Sequence, residues 1–344
     1  MYSSLERSPC AGTIAGNPLV TIALPVYNGE NYLREAIGSV LKQTFQDFEF
    51  LLLDNASTDA TPDICREAVA RDPRVRHFRA DENRGLAWNN NRAVDLARGS
   101  YLMWISHDDA LAEHYVSRCV EALDHGPDVV LSFTNSNIID ANGKQTAQVS
   151  NRFDNTTPSS RFRSLLRKQT CCDAMYGLIR VEALKKTGLH GYFAGSDLVF
   201  LCEMALHGRF ALIPEFLFMR RQHPEATGFR YHSTREITLI FDPRKAGKFF
   251  LPCLLKTRGF LDALRRARLP WKERVQCHGL MCMWLWSQKR ELFEEIVELI
   301  GIPLKRYLSQ ANLDRIKLLR KRLFGGGDGK PRMSAKPSAD GKGP

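Results

Sequence analysis

No run of about 18 apolar residues exists in this chain, so no helix that crosses a membrane is expected. Between Met1 and Gly16 there is no basic start followed by an apolar core, and no secretory signal is read there. The 9 cysteines show no metal-binding spacing. Cys171 and Cys172 are neighbours, where a bridge would be strained. Cys65, Cys119 and Cys202 fall on the apolar stripes of expected helices and read as core thiols. A reducing, cytoplasmic setting is expected. There is no zinc-finger spacing, no other nucleic-acid motif and no internal repeat, so no nucleic-acid partner is expected. Acidic residues are the minority, 38 Asp and Glu against 49 Lys and Arg, for a net charge of +11. That balance suits acidic substrates or an anionic membrane surface. What is there is ordinary for a globular protein: 44% hydrophobic and 25% charged over 344 residues, enough for one large domain or two small ones.

The first half alternates strand and helix. Leu19–Leu24 reads as a strand, followed by the turn Pro25-Val-Tyr-Asn-Gly29. Leu33, Ala36, Ile37, Val40 and Leu41 then mark an amphipathic helix. Phe48–Leu53 is a second strand ending at Asp54-Asn55, and Thr61-Pro62 opens a helix with Thr61 as N-cap. Val75–Phe78 is a third strand, and Leu86–Ala97 is helical. The stretch from Ser100 to Asp109 reads as a buried fourth strand ending on two carboxylates. A helix over Tyr115–Leu123 and a strand over Val129–Phe133 follow. This order predicts a mostly parallel α/β sheet with helices on both faces.

In such sheets ligands bind off the carboxyl ends of the strands. Polar residues cluster there in series: Tyr27 and Asn28, Asp54 and Asn55, Asn83, then Asp108 and Asp109. One such cluster is turn chemistry; the series points to a shared cleft. Adjacent carboxylates at a strand end are costly unless a cation meets them. A hard divalent metal carrying a diphosphate is a natural partner. The other reading of Asp108-Asp109 is the N-cap of a helix starting near Leu111.

The second half changes character. Ser160–Lys168 is a short basic helix, Ala174–Arg180 is strand-like, and Val181–Lys186 is helical. Gly195-Ser196-Asp197 opens a helix through Leu206, and Phe210–Pro214 and Phe216–Arg220 are strand-like. From about Phe241 only helical segments follow, including Lys272–Ile300 and Leu304–Leu323. The division expected is a disordered start (1–17), an α/β domain (18–232, with halves 18–135 and 136–232), a helical region (233–324) and a disordered tail (325–344).

Several motifs in order resemble glycosyltransferase family 2: Pro25–Leu33, Ile37–Thr44, Phe48-Glu49, Asp54–Asp59, Asn83-Arg-Gly-Leu86 and Asp108-Asp109. The resemblance runs from about Val20 to His223 and leaves the C-terminal helices outside. It implies a GT-A fold, a nucleoside-diphosphate sugar donor, a divalent metal (Mn2+ or Mg2+) and inversion at the anomeric carbon. By position, Pro25, Tyr27 and Glu30 border the nucleoside, with Asp54, Asn55 and Asn83 near it. Asp108 lies near ribose and metal, Asp109 ligates the metal, and His223 reaches metal or diphosphate. Asp197 is the base. Two departures stand out: Asn55 where many uridine-using members have Asp, and Ser196 where many have Glu before the base. Uridine and thymidine donors both stay open.

The resemblance implies transfer of a sugar from a UDP- or dTDP-sugar to a hydroxyl of a glycan or lipid-linked acceptor, in polysaccharide or cell-envelope synthesis. Two other readings remain beside it. One is a sugar-nucleotide or glycan-binding protein without catalysis. The other is a sugar nucleotidyltransferase, disfavoured because Pro25–Glu30 lacks a basic phosphate loop. Lys and Arg beside Phe260, Trp271, Trp284 and Trp286 further suit peripheral contact with anionic lipid.

Overall fold

A computed structural model describes residues 17–153, 156–167, 172–226, 230–231 and 233–304. The elements in chain order are β1 (Val20–Val26), α1 (Leu33–Leu41), β2 (Phe48–Asp54), α2 (Thr61–Arg71), β3 (Val75–Arg79), α3 (Leu86–Leu96) and β4 (Tyr101–Trp104). Next come β5 (Ala110–Leu111), α4 (Tyr115–Asp124), β6 (Val129–Ile139), β7 (Gln145–Val149) and α5 (Pro158–Arg167). Then β8 (Leu178–Arg180), α6 (Val181–Leu184), α7 (Ser196–His207) and β9 (Arg209–Arg221) complete the sheet. Among the described residues four α-helices follow: α8 (Thr234–Phe241), α9 (Pro252–Arg266), α10 (Trp271–Ser287) and α11 (Lys289–Leu304).

The sheet has the order β3-β2-β1-β4-β8-β6-β9-β5, with β7 on the outer end of β6. β1 to β4 are parallel, and β1, β2 and β4 are buried along both faces, as strands of a sheet covered on both sides are, while β3 (Val-Arg-His-Phe-Arg) is the half-exposed edge. Alternate side chains feed two cores. Ile22, Leu24, Phe50, Leu52 and Met103 pack under α1 and α4. Ala23, Leu51, Leu53, Leu102 and Trp104 pack on the opposite face with α5, α7 and the C-terminal helices. This is the mostly parallel α/β sheet between helices that the strand and helix order predicts, with a helical C-terminal region.

The fourth strand, expected to reach Asp109, ends at Trp104. Ile105 N–H still donates to the Ala23 carbonyl at 2.9 Å. The next rung of a parallel ladder would need the N–H of residue 25, and Pro25 has none. The chain leaves the sheet there and returns at β5, antiparallel to Phe218-Met219 of β9. Two further expectations change. Ala174–Arg180 is a 3-10 turn over Cys172–Tyr176 followed by the short β8. The two strand-like segments after Gly208 are one strand, β9.

The C-terminal helices share the second core. Phe260 is fully buried, its ring 6.0 Å from Phe162 of α5 and 5.1 Å from Trp284 of α10. Burying such a ring stabilises by roughly 2–3 kcal/mol. Arg266 of α9 forks onto the buried Glu203 of α7, at 2.6 and 2.9 Å. Lys272–Ile300, expected as one helix, is broken at Gln288, where Ser287 Oγ turns back to the Trp284 carbonyl at 2.6 Å. Residues 1–16, Cys171, the Leu304–Leu323 helix beyond its first residue and the tail lie outside the described residues.

Candidate active site

β1 and β2 end level, with Val26 in register with Asp54. Past that level their two loops lace together. Asn28 N–H donates to Ser57 Oγ at 2.9 Å, and Thr58 N–H donates back to Asn28 Oδ1 at 2.8 Å. Gly29 N–H donates to Thr61 Oγ1 at 2.9 Å, so Thr61, expected as a helix cap, spends its hydroxyl across the loops. Ala60 N–H donates to Glu30 Oε2 at 2.9 Å, while Glu30 N–H donates to Asp59 at 3.1 Å. Asn28 and Ala56 hold left-handed backbone, φ 53° and 64°. Such conformations persist only where their surroundings fix them.

Asp54 lies at the base of this lacework, fully buried, accepting Ser57 N–H at 2.8 Å. Arg79 and His77 of β3 stand 3.5 and 3.9 Å from its other oxygen. Burial alone would push this carboxyl up, but His77, Ser57 and the Arg79 charge outweigh it and hold it below its ordinary value. The next residue, Asn55, holds the following loop. Its amide nitrogen donates to Asn83 Oδ1 at 2.9 Å and the Gly85 carbonyl at 3.3 Å, and its oxygen accepts Arg84 N–H at 3.1 Å. Pro25, near the end of β1, is half-buried, and Tyr27 and Glu30 of the loop that follows are exposed.

A second cluster stands where the chain leaves β4. His223 Nε2 lies 3.0 Å from Asp108 Oδ2, and Ser106 Oγ donates to the other Asp108 oxygen. Burial pushes Asp108 up, but His107, Ser106 and His223 bring it net below its ordinary value. Asp109 is buried, and one of its oxygens accepts Arg221 N–H at 2.8 Å. Burial, with the Asp108 charge beside it, holds Asp109 well above the usual carboxylate range. His107 packs its ring against Gly29.

Arg221, the last residue of β9, is buried. Its Nε donates to the Asp108 carbonyl at 2.8 Å, its Nη1 to the Asp140 carbonyl at 3.1 Å, and Nη2 pairs with Glu35 at 2.5 Å. It also lies over the Tyr32 ring, at 4.7 Å, and that ring is 4.8 Å from His223. Arg220 donates to the buried Asp173 at 2.8 Å. Among the described residues no three His, Cys, Asp or Glu converge into a closed metal cage. The Asp108–His223 pair does fit an open site, in which a hard cation takes one or two protein ligands and completes its shell with phosphate and water oxygens.

Asp197 lies in the first turn of α7, with about a third of its side chain exposed. Gly195, at φ +77°, is the N-cap of that helix, so Asp197 is not spent on capping. Nor do Asp108 and Asp109 cap a helix: the next one begins at Tyr115, after β5. Asp197 Oδ1 stands 3.5 Å from Nδ1 of His190, whose ring lies 5.2 Å from that of Trp104 at the end of β4.

Residues 21–188 match the model of "Glycosyl transferase family 2". Those residues form a family 2 glycosyltransferase domain. The domain is 35% identical over 142 residues to "Chondroitin synthase" of Escherichia coli, covering 41% of this chain and 20% of that protein. It is 35% identical over 97 residues to "Glycosyltransferase GlyA" of Streptococcus pneumoniae, covering 28% of this chain and 14% of that one. The match thus spans a fifth or less of these relatives. In three dimensions the chain resembles TarS 1-349 of S. aureus, solved with UDP, at a TM-score of 0.51 and 17% identity. That likeness, over 79% of this chain and 82% of the other, is one of fold.

Sequence reasoning did not find Arg221, Tyr32, Glu35 or His190 as parts of the candidate site. Tyr32 and Glu35 carried a signal, since both lie in or beside the Pro25–Leu33 motif. His190 and Arg221 carried none, because their surroundings come from distant segments.

Proposed function

We propose that this protein transfers a sugar from a pyrimidine nucleoside-diphosphate donor to a hydroxyl of a glycan or lipid-linked acceptor, with inversion. The observation that carries it is the row of anionic groups off the sheet's carboxyl edge: Asp54 under the laced loops, Asp108 with His223, and the part-exposed Asp197. Pro25, Tyr27 and Glu30 would border the nucleoside over Asp54. Asn55 and Asn83, already joined to each other, would set the wall of that pocket rather than read the base alone. UDP in the fold neighbour TarS supports a pyrimidine.

Asp108 and His223 would hold Mn2+ or Mg2+, with Asp109 behind them. The cation would supply positive charge against the leaving diphosphate. The protein's own work is then proton removal and positioning. The Asp197 carboxylate takes the proton of the acceptor hydroxyl as its oxygen bonds the anomeric carbon, and the bond to the diphosphate breaks. Arg221 keeps the Asp108-Asp109 segment in place by holding its backbone, while Asn28 and Gly29 keep the nucleoside loop against Ser57 and Thr61.

Calorimetry with UDP, dTDP, GDP and ADP in Mn2+ tests the donor class. Both pyrimidine diphosphates should bind and the purines should bind more weakly; a clear GDP preference contradicts the assignment. Diphosphate release from UDP-glucose, UDP-GlcNAc, dTDP-rhamnose and GDP-mannose then finds the donor. Binding without release by any of them would favour a binding protein without catalysis.

The acceptor side includes a membrane reading. No helix among the described residues is long and apolar enough to cross a membrane. Phe260 and Trp284, grouped from the sequence with the basic residues, are core side chains. Trp271 and Trp286 of α10 are 67% and 72% exposed, with Val275 and Met283 also exposed between them. Lys272 and Lys289 lie over the two indoles, at 5.8 and 4.5 Å. Aromatics beside lysine suit the headgroup layer of an anionic membrane, where a lipid-linked acceptor would lie. Sedimentation with anionic vesicles at low salt, and its loss at high salt, is the expected result. Protein left in the supernatant at low salt contradicts it.

A further inference from the structure

The His190 side chain is fully buried, and neither ring nitrogen has a hydrogen-bond partner within normal geometry. Buried polar groups are nearly always partnered, so an orphaned imidazole calls for a reason. Its place is fixed from outside. His190 N–H donates to Asn91 Oδ1 at 2.9 Å, and Asn91 Nδ2 donates to the His190 carbonyl at 3.0 Å. The ring stacks on Phe200 at 4.9 Å and 25°, and meets Trp104 edge-on at 5.2 Å and 89°. Leu189, just before it, holds a left-handed backbone at φ 56°. That conformation is costly for a leucine and is kept where neighbouring structure demands it. The slot is aromatic, and an apolar ring would fill it without stranding two nitrogens. The polar group within reach is Asp197, whose Oδ1 is 3.5 Å from Nδ1.

We propose that His190 is a positioning residue for Asp197: its Nδ1–H donates to Oδ1 and leaves Oδ2 to face the acceptor hydroxyl. The inference rests on the assignment of Asp197 as the base. In the reaction, the acceptor O–H proton passes to Asp197 Oδ2 while the acceptor oxygen bonds the anomeric carbon and the diphosphate departs with the bonding pair. His190 stays neutral and keeps its Nδ1 proton throughout. Catalytic hydrogen bonds are often long before the substrate is bound, and the 3.5 Å separation closes on acceptor docking. The carboxylate is thereby held at one rotation, where small misplacement is costly in rate.

The test is a long-range 1H–15N spectrum of the full chain labelled in its histidine rings, with the His190 signals assigned by their absence in His190→Asn. Free imidazole favours the Nε2–H tautomer. The expected result is Nδ1–H for His190 in the wild type and a shift to Nε2–H in Asp197→Ala. Nε2–H in the wild type, or no change in Asp197→Ala, overturns the proposal. Turnover of the fastest donor of the panel above gives the second arm. His190→Phe should lower kcat roughly 10–100-fold with donor KM unchanged. His190→Asn, which can place an N–H near the Nδ1 position, should recover most of it. His190→Phe and His190→Asn falling equally, or a loss confined to KM, contradicts positioning. If Asp197→Ala keeps wild-type turnover, the base assignment fails, whatever the tautomer of His190.

Discussion

At the scale of single residues, the site's carboxylates were legible and their holders were not. Asp54 closes the apolar β2, and Asp108 and Asp109 follow β4 after a short turn, so hydrophobic patterning puts them near a sheet edge. Arg221 contacts the Asp108 carbonyl across 113 residues of sequence, and nothing local separates such an arginine from a solvated one. Gly85 shows the same limit. Its φ and ψ of 88° and 165° suit glycine almost alone, and an added Cβ would come within 2.5 Å of the Phe241 carbonyl oxygen. Gly85→Ala should therefore lose at least about 2 kcal/mol of stability. A urea midpoint equal to wild type would show that the Asn83–Gly85 loop does not press on α8.

Asp72 gives a pH prediction away from the site. Its carboxylate accepts from Arg74 Nη2 at 2.7 Å and Nε at 3.0 Å, and this pairing holds its pKa below the ordinary value. A folded-state pKa below the unfolded one adds stability that is complete above the unfolded value. That stability is lost as pH falls through the folded value. Wild type should thus be more stable than Asp72→Asn at pH 6, and the gap should close as pH drops below about 4. A gap that widens in acid contradicts the sign.

At the scale of elements, periodicity found the strands and helices of the first half because their faces are cleanly apolar. It failed where pairing, not patterning, decides. β4 stops because Pro25 offers no rung, and β5 forms because β9 passes beside Ala110-Leu111. Neither fact is visible within the segment itself. The same holds for α9 and α10. Their apolar residues were legible, but whether they faced a membrane or the sheet was not. Phe260 answers for α9, since it is fully buried against Phe162 and Trp284. Phe260→Ala should cost about 3–5 kcal/mol, read as a lower denaturation midpoint. A cost under about 1 kcal/mol would mean that the helices contribute little to the shared core.

At the scale of the molecule, the GT-A sheet brings loops from five strand ends to one edge, and the second core places the C-terminal helices behind α5 and α7. The family 2 domain was legible because its motifs recur in order. The donor sugar and acceptor were not, because no motif in the chain carries a pattern specific to either. The central claim is that sugar transfer depends on a cation held off β4 and on proton removal by Asp197. Its most direct measurement is nucleoside-diphosphate release from the best donor with Mn2+, before and after chelation, in wild type, Asp108→Asn and Asp197→Asn. The account expects release that chelation abolishes, none in Asp108→Asn, and in Asp197→Asn a collapsed rate with donor affinity intact. Release that survives both chelation and Asp108→Asn, or wild-type turnover in Asp197→Asn, would contradict it.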